Sequence, residues 1–430
     1  MRKFVIFLAA FLAISHPCYA QADKAKPNTL TPKEIADGWI LLFDGETTFG
    51  WKAQALQRLP PIRTTPQTAQ ATPSALQVRP PAFHGKISEG ALLIESNDAV
   101  AASIDSAFWQ ETEVRFDFRG KGVFGTKSTA YRDAQELPMK SGTFREISSR
   151  DWRSIRVLLH AAAVKSPLNK SGMHVELFYL DGSRSEGIST NNDVLTAHGI
   201  YFETTGGDRL ELRNIKMKPS IMKPLFNGTD LTGWHEVPGA KYKSKFAVID
   251  NAINVKDGPG DLQTVGKYQN FILQLECISN GKHLNSGIFF RCRDNEYQNG
   301  YECQIRNEFT EKPTQKYMIE DYDPMTNKLL SKNAIMSTAV DYGTGAIYRR
   351  VPARKQMSKD GEWFGMTIVA HGNHLATWVN GVQVTDWFDN RPKDDNARKG
   401  CCTNAGHISI QGHDPTTDLS FKNIRIAEFK

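Results

Sequence analysis

Several features are scarce in this 430-residue chain, and each scarcity excludes a class of protein. No CxxC spacing occurs, so a zinc site built from paired cysteines is not expected. The basic residues are dispersed and only slightly outnumber the acidic ones, 53 against 47, which argues against nucleic acid as a partner. Beyond the N-terminus no apolar run is long enough for a spanning helix. The composition is otherwise that of a soluble protein, neither disordered nor fibrous.

The N-terminus has the three parts of a secretory signal peptide. Arg2 and Lys3 precede a short apolar run, and Ala20 supplies the small residue that a signal peptidase needs. We therefore predict a signal peptide over residues 1–20, a mature chain from near Gln21, and a secreted or periplasmic protein that does not insert into a membrane. Without the leader the net charge is near +4.

Five cysteines remain after the leader, and three of them lie where a reactive thiol is not expected. Cys277, Cys292 and Cys303 occur on apolar faces of predicted strands, while Cys401 and Cys402 are neighbours that cannot easily bridge each other. An oxidising compartment permits disulfides. Two interpretations remain open for Cys277, Cys292 and Cys303: buried small hydrophobic residues, or one bridged pair.

An internal repeat divides the chain into two units. The segment from Trp39 to Gly45, followed by Gly50-Trp51, recurs as Lys223 to Gly228, followed by Gly233-Trp234. The closing segments of the two halves match as well. The repeat predicts two tandem copies of one domain, at residues 36–218 and 223–430.

Within each unit the segments are short, alternating and rich in aromatic or β-branched residues, with Asn-Gly and Asp-Gly turns between them. This pattern predicts an all-β fold of antiparallel sandwich or jelly-roll domains. Residues 53–82, rich in Gln, Thr, Pro and Ala, are expected to form a long exposed loop. Residues 307–360 form a second long excursion, of the kind that is usually functional or disordered.

The stretch from Asn285 to Ile305 predicts two strands with one packing face and one polar face. On the polar side the alternation places Arg291 with Glu302 and Gln304, which an antiparallel pairing would bring close together. We interpret this face as the floor of a binding site. The alternative is an ordinary ion pair between Arg291 and Glu302 on a solvated face.

Two further strands carry polar or aromatic residues on one face. His374, Trp378 and Asn380 share a face of one strand, and Gln411 and His413 share a face of another. If these faces lie on one sheet with the first two strands, all of the side chains converge on one surface suited to sugars, whose hydroxyls and C–H faces need polar groups and aromatic rings. The alternatives are that Trp378 is a packing residue and that each histidine is merely solvated.

Six ordered motifs in the second unit resemble the 3-keto-disaccharide hydrolase domain family. They are LFNGTDLTGW from Leu225, NSGIFFR from Asn285, NGYECQI from Asn299, GEW from Gly361, HLATWVNG from His374 and FKNIRI from Phe421. The resemblance implies a bacterial, secreted or periplasmic protein with a concanavalin A-like jelly roll. The first unit matches only in its opening and closing strands, so we expect a degenerate copy that packs against the second or binds glycan weakly.

The resemblance also implies a substrate and a reaction. The substrate is a glycoside or disaccharide already oxidised at C3, which links the protein to a separate sugar 3-dehydrogenase. The ketone acidifies the C2 proton, so a base can remove it and the C1 substituent can leave; added water completes a net hydrolysis. The alternative function is a non-catalytic carbohydrate-binding, lectin-like protein.

Roles for individual residues follow as hypotheses from this chemistry. Arg291 would stabilise the enolate, His374 or His413 would be the base, and Glu302 its acid or base partner. A divalent metal held by Glu302 and a histidine could replace Arg291 as the electrophile. Asp414 could orient His413 or simply form a turn. The predicted sugar-binding residues are Asn285, Gln304, Trp378, Asn380 and Gln411.

Overall fold

A computed structural model describes the following residues: 26–55, 86–95, 100–104, 111–132, 135–138, 144–162, 172–182, 187–190, 197–204 and 206–428. The signal peptide at 1–20 and most of the loop predicted at 53–82 lie outside this part of the chain. Residues 53–55, the start of that loop, belong instead to a strand, because they pair with residues 100–102. The described fold is nearly all β, as predicted, and every strand pairing is antiparallel.

The first unit begins with a short helix and continues as one curled sheet. The helix α1 covers Pro32–Ala36, and no helix among the described residues has the length and apolar character to span a bilayer. Phe116, Phe124 and Phe202 pack together in the core enclosed by the sheet. The strands are β1 (Ile40–Leu41), β2 (Trp51–Ala55), β3 (Lys86–Ser88), β4 (Ala91–Glu95), β5 (Val100–Ile104), β6 (Glu111–Arg132), β7 (Gln135–Pro138), β8 (Phe144–Ala162), β9 (Gly172–Tyr179), β10 (Gly187–Thr190), β11 (Ala197–Thr204) and β12 (Arg209–Pro219).

The second unit is a sandwich of two antiparallel sheets. Its strands are β13 (Lys223–Pro224), β14 (Trp234–Glu236), β15 (Lys245–Ile249), β16 (Ala252–Lys256), β17 (Gly260–Thr264), β18 (Phe271–Ser279), β19 (Ser286–Cys292), β20 (Tyr301–Ile305), β21 (Gln315–Tyr322), β22 (Leu329–Ser337), β23 (Phe364–His371), β24 (His374–Val379), β25 (Val382–Phe388), β26 (His407–Gly412) and β27 (Asp418–Glu428). One sheet has the order β15-β16-β27-β18-β23-β24-β25, with β13 beside β27, and the other has the order β14-β17-β26-β19-β20. Their facing apolar side chains form one core.

The excursion at 307–360 is structured rather than a simple loop. It contains the hairpin formed by β21 and β22, and a 3-10 turn at Val340–Tyr342. Because the chain then returns to β20 through hydrogen bonds such as Gly345 N to Gln304 O, 2.8 Å, the excursion lies beside the five-stranded sheet.

The first unit packs on the outer face of the eight-stranded sheet. Trp378 is fully buried there and shares a core with residues of the first unit, and its indole N–H donates to the Leu41 carbonyl, 2.8 Å away. Gln274 donates to the Gly38 carbonyl at 2.8 Å, and Arg354 forms an ion pair with Asp44 at 2.6 Å. The two units are therefore joined by apolar, polar and ionic contacts together.

The two units repeat local features as well as sequence. Trp51 donates to the Leu42 carbonyl at 2.7 Å, and Trp234 donates to the Leu225 carbonyl at 3.0 Å, each nine residues back. Each closing strand, β12 and β27, also has an asparagine at positive φ, where its pairing register shifts. These matches support the repeat, and the domain bounds stay a prediction.

All five cysteines of the described residues are buried free thiols. Burial raises the pKa of Cys401 to about 11 and that of Cys277 well above its ordinary value, so both stay protonated at neutral pH. The structure therefore supports the interpretation of these cysteines as buried small hydrophobic residues rather than as a bridged pair.

Candidate functional site

Polar side chains line the face of the five-stranded sheet that points away from the core. Glu302 pairs with Phe289, which pairs with Ser409, and Gln411 pairs with Asp261, so these positions stand on one surface. The intervening residues of β20 and β26 enter the core, as the alternation predicted. We call this surface the polar floor and define it by Asp261, Glu302, Gln304, Ser409 and Gln411.

A cleft of about 370 Å³ adjoins the polar floor. Gly287 pairs with Gln304 on this floor, and its lack of a side chain makes room for Glu302. A Cβ at Gly287 would lie 2.9 Å from both Cγ and Oε1 of Glu302. The cleft is lined by Asn285, Tyr297, Gln298, Glu302, Tyr348, Arg349, Arg398 and His413.

The site contains buried polar atoms that have no hydrogen-bond partner within the described residues. Such atoms are rare in folded proteins, because each one costs the desolvation of a polar group. Six of the twelve such atoms among the described residues belong to the polar floor or to Asn285 beside it, as expected where a polar ligand supplies the missing bonds. The atoms are Asp261 Oδ1, Asn285 Oδ1, Gln304 Oε1, Ser409 Oγ and both amide atoms of Gln411.

Glu302 is a buried carboxyl held by one cation. Its Oε2 accepts from Arg398 Nη2 at 2.9 Å, and Arg398 is held in turn by its Nε bond to the Gln298 carbonyl, 3.1 Å. Burial raises the pKa of Glu302 to about 7 even though the charge of Arg398 opposes the change. The carboxyl can therefore gain or lose a proton near neutral pH.

Asp261 is a second buried carboxyl on the floor. Its Oδ2 accepts from the Gln298 backbone N–H at 2.9 Å. Burial raises the pKa of Asp261 to about 7, and the nearby charge of Glu302 acts in the same direction. Two carboxyls that titrate near neutrality in one site are a common sign of acid–base chemistry.

His413 lines the cleft, and its imidazole contacts the neighbouring carboxylate of Asp414. Asp414 Oδ2 lies 2.8 Å from His413 Nδ1, while Asp414 Oδ1 accepts from Thr416 in the turn. Asp414 thus does both things that the sequence left open: it orients the histidine and forms the turn. With a proton on Nδ1, His413 Nε2 carries a lone pair that can take a proton, and it accepts one long hydrogen bond from Asn285 Nδ2 at 3.5 Å.

The excursion at 307–360 contributes a third carboxylate. Asp341 has left-handed backbone angles, φ 48° and ψ 46°, and its Oδ2 accepts from Asn285 Nδ2 at 3.0 Å and Gln304 Nε2 at 3.1 Å. These bonds turn the amide oxygens of Asn285 and Gln304 away from Asp341, and both oxygens lack partners. The excursion therefore fixes the orientation of the Asn285 and Gln304 side-chain amides, two residues that the sequence analysis assigned to sugar binding.

Arg291 does not reach the cleft, which corrects the role given to it. Its φ of 53° marks a β-bulge, where the register of β19 against β26 shifts. The bulge sends the guanidinium to the end of the sheet, where it donates to the carbonyls of Gln269, Gly372 and Cys402 at 2.7 to 2.9 Å. Arg291 is 2% exposed and forms neither the predicted pair with Glu302 nor a contact with the cleft.

His374, Trp378 and Asn380 are also misplaced by the sequence hypothesis, because β24 belongs to the other sheet. His374 Nε2 lies 2.6 Å from Asp386 Oδ1, and its ring stacks on Phe388. Trp378 faces the first unit, so the packing alternative is right. Asn380 is a turn residue at φ 48° whose amide bonds the backbone of residues 357 and 365. Of the predicted residues, Asn285, Glu302, Gln304, Gln411 and His413 do come together.

Several functional candidates were missed. Asp261 had a usable signal, since Asp261 and Gln263 alternate with Leu262 as the polar residues of β20 alternate with apolar ones. Arg398 and Arg349 lie in irregular segments without periodicity, so only the tertiary structure brings them to Glu302 or to the cleft rim.

Glu302 and His413, a pair considered for a divalent metal, line the same cleft. The described part of the chain contains no group of three or more His, Cys, Asp or Glu residues placed to hold a metal ion. These two side chains alone fall short of the three protein ligands usual in catalytic zinc sites.

Comparison with known proteins finds a family model whose match includes the residues of this site. Residues 222–427 match the family model described as a 3-keto-alpha-glucoside-1,2-lyase-like domain, as the motifs indicated. The match contains the whole polar floor and the cleft. It spans slightly less than half of the chain and leaves the first unit outside.

Solved structures similar to the chain include two from Parabacteroides distasonis ATCC 8503, each provisionally named a glycosyl hydrolase. One is 21% identical and covers 49% of this chain and 94% of its own, with a TM-score of 0.36; the other is 26% identical, covers 49% and 85%, and has a TM-score of 0.34. The carbohydrate-binding module CBM66 from Bacillus subtilis is 12% identical and covers 45% and 95%, with a TM-score of 0.28. None of the curated proteins matches the chain.

Proposed function

We propose that the domain at 222–427 cleaves glycosides of 3-keto sugars by proton abstraction at C2 and elimination of the C1 substituent. The family match points to a carbohydrate ligand and to this reaction class. The observation that carries the proposal is a carboxyl with a pKa of about 7, Glu302, sharing one cleft with an imidazole held by a carboxylate, His413. A carbohydrate-binding protein has no need of such a pair.

The base in this proposal is His413 Nε2. It takes the proton from C2, and the electrons of the broken C–H bond form an enolate with the C3 ketone. Asp414 stabilises the resulting imidazolium through the 2.8 Å contact to Nδ1. The guanidinium of Arg398, anchored to Gln298 and Glu302, replaces Arg291 as the group that stabilises the enolate oxygen.

Glu302 in its protonated form is the acid. As the enolate collapses, the C3 ketone re-forms, a C1–C2 double bond appears, and the C1–O bond breaks. Glu302 gives its proton to the departing oxygen, which leaves as an alcohol. Water can then add across the double bond, with its oxygen on C1 and a proton on C2, to complete net hydrolysis. A pKa near 7 suits a group that must be protonated at the start of each cycle.

Sugar hydroxyls would satisfy the unpartnered polar atoms of the floor. Gln411 offers a donor and an acceptor, and Asn285 and Gln304 each offer an oxygen. Tyr297 and Tyr348 line the cleft and supply the aromatic surface once assigned to Trp378. In this proposal the enzyme acts outside the cytoplasm, and a sugar 3-dehydrogenase supplies its oxidised substrate.

The test is product release by the mature full-length chain from 3-keto-glucosides and from their unoxidised parents, in both anomeric forms. We expect release only from the ketones. His413→Gln and Glu302→Gln should lower kcat by about 10²- to 10⁴-fold, the usual contribution of an acid or base. His374→Gln is the matched control, and it should keep full turnover because His374 lies on the other sheet.

Two results would contradict the proposal. Equal release from the unoxidised parents would show that the C3 ketone is not used. Tight binding of a glycoside without any release would assign the cleft to a lectin-like protein.

A further inference from the structure

A second, smaller cavity of about 140 Å³ adjoins the cleft. It lies where the hairpin of β21 and β22 approaches β25, and Arg349 lines both the cavity and the cleft. The proposed reaction uses none of the residues specific to this cavity. Its walls include Glu320, Lys332, Arg349, Arg350, Trp387 and Arg391.

The charges around this cavity are only partly balanced. Lys332 pairs with Glu320 at 2.9 Å, and the guanidinium of Arg391 forms a buried ion pair with Asp389 at 2.7 Å. Arg349 and Arg350 have no carboxylate within ion-pair distance among the described residues. Asp389 and Glu320 act on Arg350 from a greater distance. The four basic residues around the cavity still outnumber these two carboxylates, so the cavity keeps a net positive charge.

The backbone holds these two arginines in place. Residues 347–351 form a tight loop in which the N–H groups of Arg350 and Val351 bond the Ile347 carbonyl at 2.9 and 3.0 Å. Arg349 sits at φ 61°, a strained conformation for a residue with a side chain. The loop therefore places three successive side chains differently. Tyr348 lines the cleft, Arg349 lines both the cleft and the second cavity, and Arg350 lines the second cavity.

Arg350 links the cavity to the catalytic groups. Its Nη2 donates to the carbonyl of Arg398 at 2.9 Å, and Arg398 holds Glu302. Burial lowers the pKa of Arg350, and repulsion by Arg391 acts in the same direction, while the charges of Asp389 and Glu320 only partly oppose the change. A buried cation in this situation is stabilised by an anion that binds beside it.

We propose that this second cavity binds an anionic substituent, a carboxylate or a sulfate, on the leaving group of the glycoside that is cleaved in the neighbouring cleft. Guanidinium groups bind such oxyanions through paired hydrogen bonds, and Trp387 offers an apolar wall for the body of the leaving group. The inference rests on the proposed function, and it specifies the substrate as one with an acidic aglycone or an acidic second sugar.

Kinetics with matched leaving groups test this inference. The substrates are the 3-keto-glucosides of 4-hydroxybenzoate, of 4-hydroxyphenyl sulfate and of the neutral 4-hydroxybenzamide. For the wild type we expect KM to be at least about tenfold lower for the anionic substrates than for the amide, the size of one charge-assisted hydrogen bond. The anionic substrate with the lower KM shows whether the cavity prefers a carboxylate or a sulfate.

Variants separate this role from a structural one. Arg350→Gln and Arg349→Gln should abolish the preference for the anion, measured as the ratio of the KM values for charged and neutral substrates within each variant, so that any general loss of turnover cancels. Remaining cleavage of the neutral amide shows that the variants are folded. Arg293→Gln, an exposed arginine paired with Glu296 and outside both cavities, is the control and should keep the preference.

Three outcomes would overturn the inference: equal KM for charged and neutral leaving groups, a preference that survives Arg350→Gln, or inhibition by inorganic sulfate without any preference among the glycosides. If no 3-keto-glucoside is cleaved at all, the proposed function fails instead. Calorimetry with the intact 4-hydroxybenzoate glucoside then decides the anion site on its own, since binding that is lost in Arg350→Gln supports it and equal binding refutes it.

Discussion

The raised pKa of Glu302 predicts how the stability of the protein depends on pH. In the unfolded chain this carboxyl has its ordinary pKa of 4.5, whereas burial in the folded protein raises its pKa to about 7. The folded state therefore binds the extra proton between these values, and the stability that the neutral carboxyl provides is lost as the pH rises through about 7. At 1.36 kcal/mol per pKa unit, the loss amounts to about 3 kcal/mol.

Glu302→Gln removes this titration and keeps the size of the side chain. We expect the free energy of unfolding of the wild type to fall relative to the variant by about 3 kcal/mol between about pH 4 and pH 8, with the slope concentrated between 4.5 and 7. Denaturant unfolding of both proteins at several pH values measures the difference. Titrating groups that do not interact with Glu302 cancel from it, whereas Asp261, whose pKa responds to the charge of Glu302, contributes to it.

The same experiment on Glu362→Gln gives the control. Glu362 is 66% exposed and lies outside the cleft, so this variant keeps the buried Glu302 carboxyl and should keep the pH dependence of the wild type. A constant difference between wild type and Glu302→Gln across this pH range would refute the idea that the folded protein holds Glu302 protonated near neutrality.

Three further predictions concern turnover and packing. Gly287→Ala should lower kcat about 10²-fold without unfolding the protein, because the added Cβ would displace the Glu302 carboxyl. Kinetics measure the loss of kcat and circular dichroism measures the fold. An unchanged kcat would contradict the close contact between position 287 and Glu302. The kcat of the wild type should fall as the pH rises through about 7, because the acid loses its proton, and this limb should be absent from the residual activity of Glu302→Gln. Trp378→Ala should lower the free energy of unfolding by about 3 to 5 kcal/mol, as measured by denaturant titration, and a change below about 1 kcal/mol would show that Trp378 does not join the two units.

Local alternation was a sound guide to each strand taken alone. It predicted the all-β class and the polar faces of β20 and β26, and therefore Glu302, Gln304, Gln411 and His413 as neighbours on one surface. The prediction of these faces succeeds because successive side chains of a strand point to opposite sides, so the faces can be read from the alternation of residue types in the sequence. The turn at Asn380-Gly381 was predictable for the same reason.

The assignment of strands to sheets was not predictable from the same pattern. A strand with one polar face has the same sequence pattern in either sheet of a sandwich. For this reason His374 and Trp378 were grouped with Glu302, although β24 belongs to the other sheet. A single bulge was enough to misplace Arg291, because one extra residue turns a side chain to a new direction.

The sequence by itself determined which residues alternate and where the chain repeats, since both are local patterns. Only the tertiary structure decided which polar faces meet, and that Arg398, Asp341 and Arg349 complete the cleft from irregular segments. The physical reason is that these groups are brought together by long-range packing, which leaves no periodic trace in the chain. The raised pKa of Glu302 has the same origin, because burial is a property of the assembled fold.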